Sequence, residues 1–274
     1  MKPILTTITP VWDRSEMLRL WLLAIKGATV EGVHHFVYFV GERPPDWWER
    51  ESPSNVSAMV REEKPELSIG HYHNLGAEQA CSEWIMKLDV DAFPNPHCFS
   101  SLLPILSLLG EREWVNMGMF YVNRLYSDYL CQNGAPVLAR MYQHVMKNRK
   151  TYSASSYLAP AATNFICRRQ DYLDLGGCDE RFRGYGWEDY QQIYMLEKHQ
   201  RGEDPLPGKI DFVNVTQRCR DEISRPKAKA LWEENEWLCL LHHWHAASAN
   251  PNYKNPATMH QNRQLLFDYI MAHR

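Results

Sequence analysis

The stretch WIMKLDVDA, from Trp84 to Ala92, reads as a short buried strand that ends in two aspartates. Side chains alternate along a strand, so Asp89 and Asp91 are expected on one face. Two carboxylates about 4 Å apart repel by roughly 4 kcal/mol at an effective dielectric near 20, and a divalent cation relieves that repulsion. Hard oxygen donors suit Mg²⁺ or Mn²⁺. The carboxyl end of such a strand is also where open α/β sheets bind their ligands. The plainer reading of so short a motif is a solvated aspartate pair at an ordinary strand end.

The pattern on both sides of this stretch is alternating. PILTTITPVW (3–12) is β-rich, and EMLRLWLLAIKGA (16–28) has helical spacing with Gly27 as a stop. HHFVYFVG (34–41) predicts a second strand, ELSIGHYHNLG (66–76) a short third strand leading to a turn, and GAEQACSEW (76–84) a helix. Beyond the aspartates, HCFSSLLPILSLL (97–109) predicts a helix containing or broken by Pro104, and EWVNMGMFYV (113–122) a strand. TNFICRR (163–169) predicts a strand, RQDYLDLGG (169–177) a short helix with a glycine stop, and EDYQQIYMLEKHQRG (188–202) a helix. KIDFVNVTQ (209–217) predicts a strand and KAKALWEENEWLC (227–239) a helix. Strands alternating with helical patterns predict βαβ units in an α/β fold with a mostly parallel central sheet. One domain over 1–274 is expected.

Composition narrows the function. A formal charge of −3 supplies no basic field for nucleic acid, and 45% hydrophobic residues suffice for a core. No run of about 20 apolar residues predicts a membrane span, and the N-terminus lacks a signal-peptide pattern. Seven cysteines with no CxxC read as reduced thiols of a cytoplasmic protein, with room for peripheral contact at the inner membrane face.

Two further clusters carry chemistry. GGCDERFRGYGWEDYQ, from Gly176 to Gln191, sets a glycine-rich, charged loop before a helix that begins with Glu188 and Asp189. Glycines let a backbone pass close to a ligand, and a helix N-terminus favours negative charge. Helix-end electrostatics is the plainer explanation of the acidic pair. The run HHWH places His242, His243 and His245 together. Alternation puts His243 and His245 on one strand face, which suggests zinc, although no further ligand completes a tetrahedron.

The stretch NLGAEQACSEWIMKLDVDA (74–92) resembles the N-x-G…D-x-D pattern of GT-A glycosyltransferases of the family 2 type. GGCDERFRGYGWEDYQ resembles the signature of a galactosyltransferase-type C-terminal region, with Cys178 in place of the usual Phe or Met. HHWHAASANPNYKNPATMHQNR (242–263) resembles the histidine-to-N-R ending of the same transferases, with Ala246 in place of the usual proline. The resemblance implies a metal-dependent, inverting transferase that moves a hexose from a nucleotide sugar, UDP-linked, to a glycan or glycolipid hydroxyl of a bacterial capsule, lipopolysaccharide or exopolysaccharide. It implies a nucleotide-binding half at 1–97, with the nucleotide at Pro10, Arg14, Glu42, Asn74, Gly76, Asp89 and Asp91, and an acceptor-binding half at 98–274. It implies Mn²⁺ or Mg²⁺ on Asp91, Asp89 and His245, with His243 as second choice and His242 turned to donor phosphate or the core. It implies Asp189 as base, with Glu188 holding acceptor or donor sugar and the two roles exchangeable. Gly184, Tyr185, Gly186, Trp187, Glu188 and His243 would line the substrate site; Asn262 and Arg263 match the N-R ending without a role. Acceptor specificity is expected in 98–162, with 123–160 a lid, on aromatics such as Tyr126, Tyr129, Tyr152 and Tyr157, or on Trp47 and Trp48. The alternatives are a zinc hydrolase and a catalytically inactive sugar-binding module.

Overall fold

The computed structural model describes residues 2–12, 14–62, 68–122, 124–133, 140, 142–144, 147, 158–184, 186–235, 237–243 and 254–274, without the side chains of 15, 126, 130–132 and 158–163. Its centre is one eight-stranded sheet in the order β3-β2-β1-β4-β7-β6-β8-β5. β1 (Leu5–Val11) lies parallel to β2 (Val33–Val40) and to β4 (Trp84–Lys87), and β3 (Val56–Arg61) continues the parallel half beyond β2. β7 (Leu158–Arg168) pairs antiparallel with both β4 and β6 (Val115–Tyr121). β8 (Cys239–His242) runs parallel to β6 and antiparallel to the short β5 (Ala92–Pro94). The parallel half is therefore the N-terminal one, and the later strands make the sheet mixed.

β1 is buried along nearly its whole length, as a central parallel strand covered on both faces must be. Helix α1 (Leu18–Ala28) covers one face with Trp21, Leu22 and Ile25, running one residue past Gly27. Helix α3 (Ile69–Gln79) buries Gly70, Tyr72, His73, Gly76 and Ala77, and its Ala77 belongs to the apolar cluster that contains Ile8 and Ile85. The short α2 (Trp48–Glu51) lies between β2 and β3. It places Trp48 in the core, in edge contact with Phe39 at 5.2 Å.

Two expected strands are corrected. Residues 69–76 belong to helix α3, and the third strand is Val56–Arg61. The glycines of α3 mark close packing: a Cβ on Gly76 would stand 2.5 Å from Ile8 Cγ2, and one on Gly70 would stand 2.6 Å from Cys178 Cβ. The region 209–217 is a turn leading into helix α8 (Val215–Arg218). Asp211 Oδ1 accepts from the amides of Val213 and Asn214 at 2.9 Å each, so local side-chain capping overrides β propensity.

The remaining elements follow the expected order. Helix α4 (Cys98–Leu106) contains Pro104. Helix α5 (Arg124–Asn133) occupies the start of the hard-to-read region, of which most of 134–157 lies outside the described residues. Helix α6 (Arg169–Asp174) ends at Gly176 and Gly177, with φ of 84° and 66°. Helix α7 (Glu188–Arg201) follows. A π-helical turn (Cys219–Ser224) joins α8 to α9 (Arg225–Glu234), and β8 takes up the end of the stretch expected as helix. Helix α10 (Pro256–Ala272) closes the chain, with Asn255 capping its first turn. No described helix is long and apolar enough to cross a membrane.

Candidate active site

The site is assembled where the carboxyl end of β4, which lies beside β1 in the parallel half of the sheet, meets the N-terminus of α7. Pro10 and Glu42 stand at the ends of β1 and β2, and Arg14 is buried just after β1. All four residues of β4 are buried, including Lys87, which is 3% exposed. Lys87 Nζ pairs with Asp189 Oδ1 and lies 5.5 Å from the Phe165 ring centre. Burial alone would strip the proton from this lysine, but the paired Asp189 carboxylate opposes that most strongly, and the lysine is held well above the usual range.

Glu188 is the counterpart. Burial, then the neighbouring Asp189, push its carboxyl up to about 8, with Asp89 adding to the rise and Lys87 opposing it. Asp89 of the D-x-D motif and the acidic pair of α7 thus share one electrostatic neighbourhood. His73, 1% exposed on the sheet side of α3, is held well below its ordinary value by burial and by Lys87.

The second aspartate lies in a turn closed by the Ala92 amide donating to Asp89 O at 3.0 Å. The strand expected over 84–92 is thereby split into β4 and β5. The register of β8 sets His242 opposite Ala92 on one side and opposite Tyr121 on the other. His242 Nε2 comes within 3.7 Å of Asp91 Oδ2, and its ring lies 4.5 Å from that of Tyr121. His243, expected on the substrate side, is instead 3% exposed with its ring stacked 5.4 Å from Phe93. Its amide donates to Asp91 O at 2.8 Å, so it braces the turn through the backbone. His245 and Tyr185 lie outside the described residues.

Among the described residues no three His, Cys, Asp or Glu side chains form a group able to hold a metal. The donors present, two carboxylates with an imidazole beside one of them, suit a hard or borderline divalent cation that takes further ligands from elsewhere.

Two residues expected at the nucleotide have other work. Asn74 Oδ1 accepts from Tyr172 Oη and from the Cys178 amide at 2.8 Å each, and its Nδ2 donates to Cys178 O at 2.9 Å and Glu180 Oε1 at 3.1 Å. That uses the whole capacity of the amide, so Asn74 ties α3 to the loop at 177–180. Gly76 serves the close approach of α3 to β1. Gln192 Nε2 donates to Gly177 O from the other side of the loop. Gly184 and Gly186 have φ of 61° and 91°, and Trp187 follows them at φ 78°. For a residue with a side chain that conformation costs about 1–2 kcal/mol.

Sequence reasoning missed Lys87 and His73, and did not anticipate His242 beside Asp91. A lysine inside an apolar strand is the signal that could have found the first. His73 was hidden by reading α3 as a strand.

A mixed sheet of this order, with its acidic groups gathered at the carboxyl ends of the parallel strands, defines an α/β fold of the GT-A type. The model of the family described as glycosyltransferase like family 2 matches residues 54–266, and the chain belongs to that family. Among solved structures, S. aureus TarS 1-349 is similar at 15% identity and a TM-score of 0.47, covering 72% of this chain and 55% of that one. The mannosyltransferase PcManGT from Pyrobaculum calidifontis, in complex with GDP-Man and Mn²⁺, is similar at 13% identity and a TM-score of 0.46, covering 99% and 74%. The glucosyl-3-phosphoglycerate synthase from Mycobacterium tuberculosis, in complex with Mn²⁺, UDP and phosphoglyceric acid, is similar at 16% identity and a TM-score of 0.42, covering 73% and 65%. The chain thus spans just over half the length of the TarS chain it matches. No curated protein matches it.

Proposed function

We propose that this glycosyltransferase moves a hexose from a UDP-linked sugar to a hydroxyl of a bacterial surface glycan, with inversion at the anomeric carbon. The observation that carries this reading is the placement of Glu188 and Asp189 beside Lys87 and Asp89, at the carboxyl end of β4. An acceptor hydroxyl is a weak nucleophile and needs a base in the transition state. Asp189 takes the hydroxyl proton, the acceptor oxygen bonds to the anomeric carbon, and the bond to the diphosphate oxygen breaks with its electron pair on the leaving diphosphate. Lys87 fixes the rotamer of Asp189. Glu188 keeps its own proton below about pH 8, so it donates a hydrogen bond to a sugar oxygen. Asp89, Asp91 and His245 would hold a divalent cation, which when bound supplies positive charge to the departing diphosphate.

The test measures nucleoside diphosphate release from a panel of UDP- and GDP-sugars, with and without Mn²⁺ and oligosaccharide acceptors, for wild type and Asp189→Asn. Transfer by wild type should fall about 10²- to 10⁴-fold in the variant, with UDP affinity kept. Sugar-nucleotide binding with no turnover under any condition would make the chain an inactive sugar-binding module instead. If Asp189→Asn turns over normally and Glu188→Gln does not, the two carboxyl groups exchange roles.

A further inference from the structure

Helix α7 starts in an unusual way. Trp187, the residue before Glu188, is left-handed at φ 78° and ψ −18°, and its side chain caps nothing. Among described residues other than glycine, Arg112 is the sole companion with positive φ. A strained backbone persists only where its surroundings over-determine it. Here the surroundings come from α10, some seventy residues later in the chain.

Asn262 is 2% exposed and spans the loop with one amide group. Its Nδ2 donates to Arg183 O at 2.7 Å and to Gly186 O at 3.1 Å, while its Oδ1 accepts from the Arg183 amide at 3.2 Å. The next residue, Arg263, places its guanidinium carbon 5.6 Å from the Trp187 ring centre and 5.6 Å from that of Phe212. One residue therefore sets the separation of the backbone at 183 and 186, and the other seats the indole that follows. Without these contacts Trp187 can relax to right-handed geometry, which starts the helix one residue early and turns Glu188 and Asp189 away from Lys87.

We infer that Asn262 and Arg263 are positioning residues for the acidic pair, holding the loop before α7 in the turn that aims Glu188 and Asp189 into the site. The inference rests on the transferase reading above for its kinetic consequence and on the backbone alone for its structural one. Catalytic groups need placement to a fraction of an ångström, and a misplacement of about 1 Å costs about 10²-fold in rate.

The experiment compares wild type, Asn262→Ala, Arg263→Met, Arg263→Lys, Trp187→Gly and the double variant Trp187→Gly with Asn262→Ala. Asn262→Ala should lower kcat about 10- to 100-fold, with UDP affinity by calorimetry within about twofold, since none of the residues assigned to the nucleotide lies in that loop. Arg263→Lys should recover part of the loss seen in Arg263→Met, because a cation still meets the indole. Glycine adopts positive φ without cost, so removing Asn262 should matter several-fold less in the Trp187→Gly background. Amide exchange over 186–190, read by mass spectrometry, needs no substrate and should accelerate in Asn262→Ala. Unchanged kcat and unchanged exchange, or kcat effects that multiply independently of Trp187→Gly, overturn the inference. A wild type silent with every nucleotide sugar sinks the transferase reading, and the exchange result alone then decides the clamp.

Discussion

Lys87 and Asp189, 102 residues apart in the chain, form a buried ion pair where the end of β4 meets the first turn of α7. The pair joins the parallel half of the sheet to the glycine-rich loop and its helix. Lys87→Met should therefore destabilise the protein by about 3–5 kcal/mol, because it leaves the Asp189 carboxylate buried without its cation. Asp189→Asn should cost less, since Glu188 lies beside Lys87 and can ionise in its place. Urea denaturation of both variants checks the order, and equal losses would show that Glu188 does not take over from Asp189.

Glu188 makes stability depend on pH in an unusual direction. A glutamate in the unfolded chain releases its proton near 4.5, whereas the folded protein holds it to about 8. The folded state binds more protons between those values, so stability falls as pH rises through that window. The buried His35 and His73 act oppositely below 6.5, where unfolding lets them charge. From about pH 7.5 upward both histidines are almost wholly neutral in either state, and Tm should decline toward pH 8 in wild type. Glu188→Gln should flatten that decline, and a wild-type slope surviving the substitution would assign it to another group.

The Asp91 carboxylate beside His242 leads to a metal prediction. UDP should bind weakly without a divalent cation and more tightly with Mn²⁺, and Asp91→Ala should remove the difference. Calorimetric titration of UDP with and without the metal reads it directly. Cation-independent binding by wild type would rule out the metal assignment to these aspartates.

Gly76 should tolerate no side chain. A Cβ there would stand 2.5 Å from Ile8 Cγ2, inside a packed core. Gly76→Ala should cost about 1–3 kcal/mol by overpacking. Adding Ile8→Ala should relieve the clash, so the two substitutions together should cost less than their sum. Additive losses in thermal unfolding would mean that α3 shifts as a unit instead.

Much was legible locally. β1, β2, β6 and helix α7 each carry their own period, and the aspartates of WIMKLDVDA and the acidic pair of WEDYQ announce themselves by type and spacing. The family followed from those same stretches. What local pattern could not reveal is what distant residues do to one another. The glycines at 70 and 76 look like turn formers until α3 is laid against Ile8 and Cys178, and the edge strand β3 is too exposed to alternate cleanly. Asn74 looks like a ligand until its amide is found bound to Cys178 and Tyr172. Lys87 is one lysine in a strand until burial joins it to Asp189, and Asn262 has no role until α10 folds against the loop at 183–186. Periodicity is a property of neighbours in the chain and can be read from it. Desolvation, charge pairing and saturation of a buried amide depend on neighbours in space, and those exist only once the chain has folded.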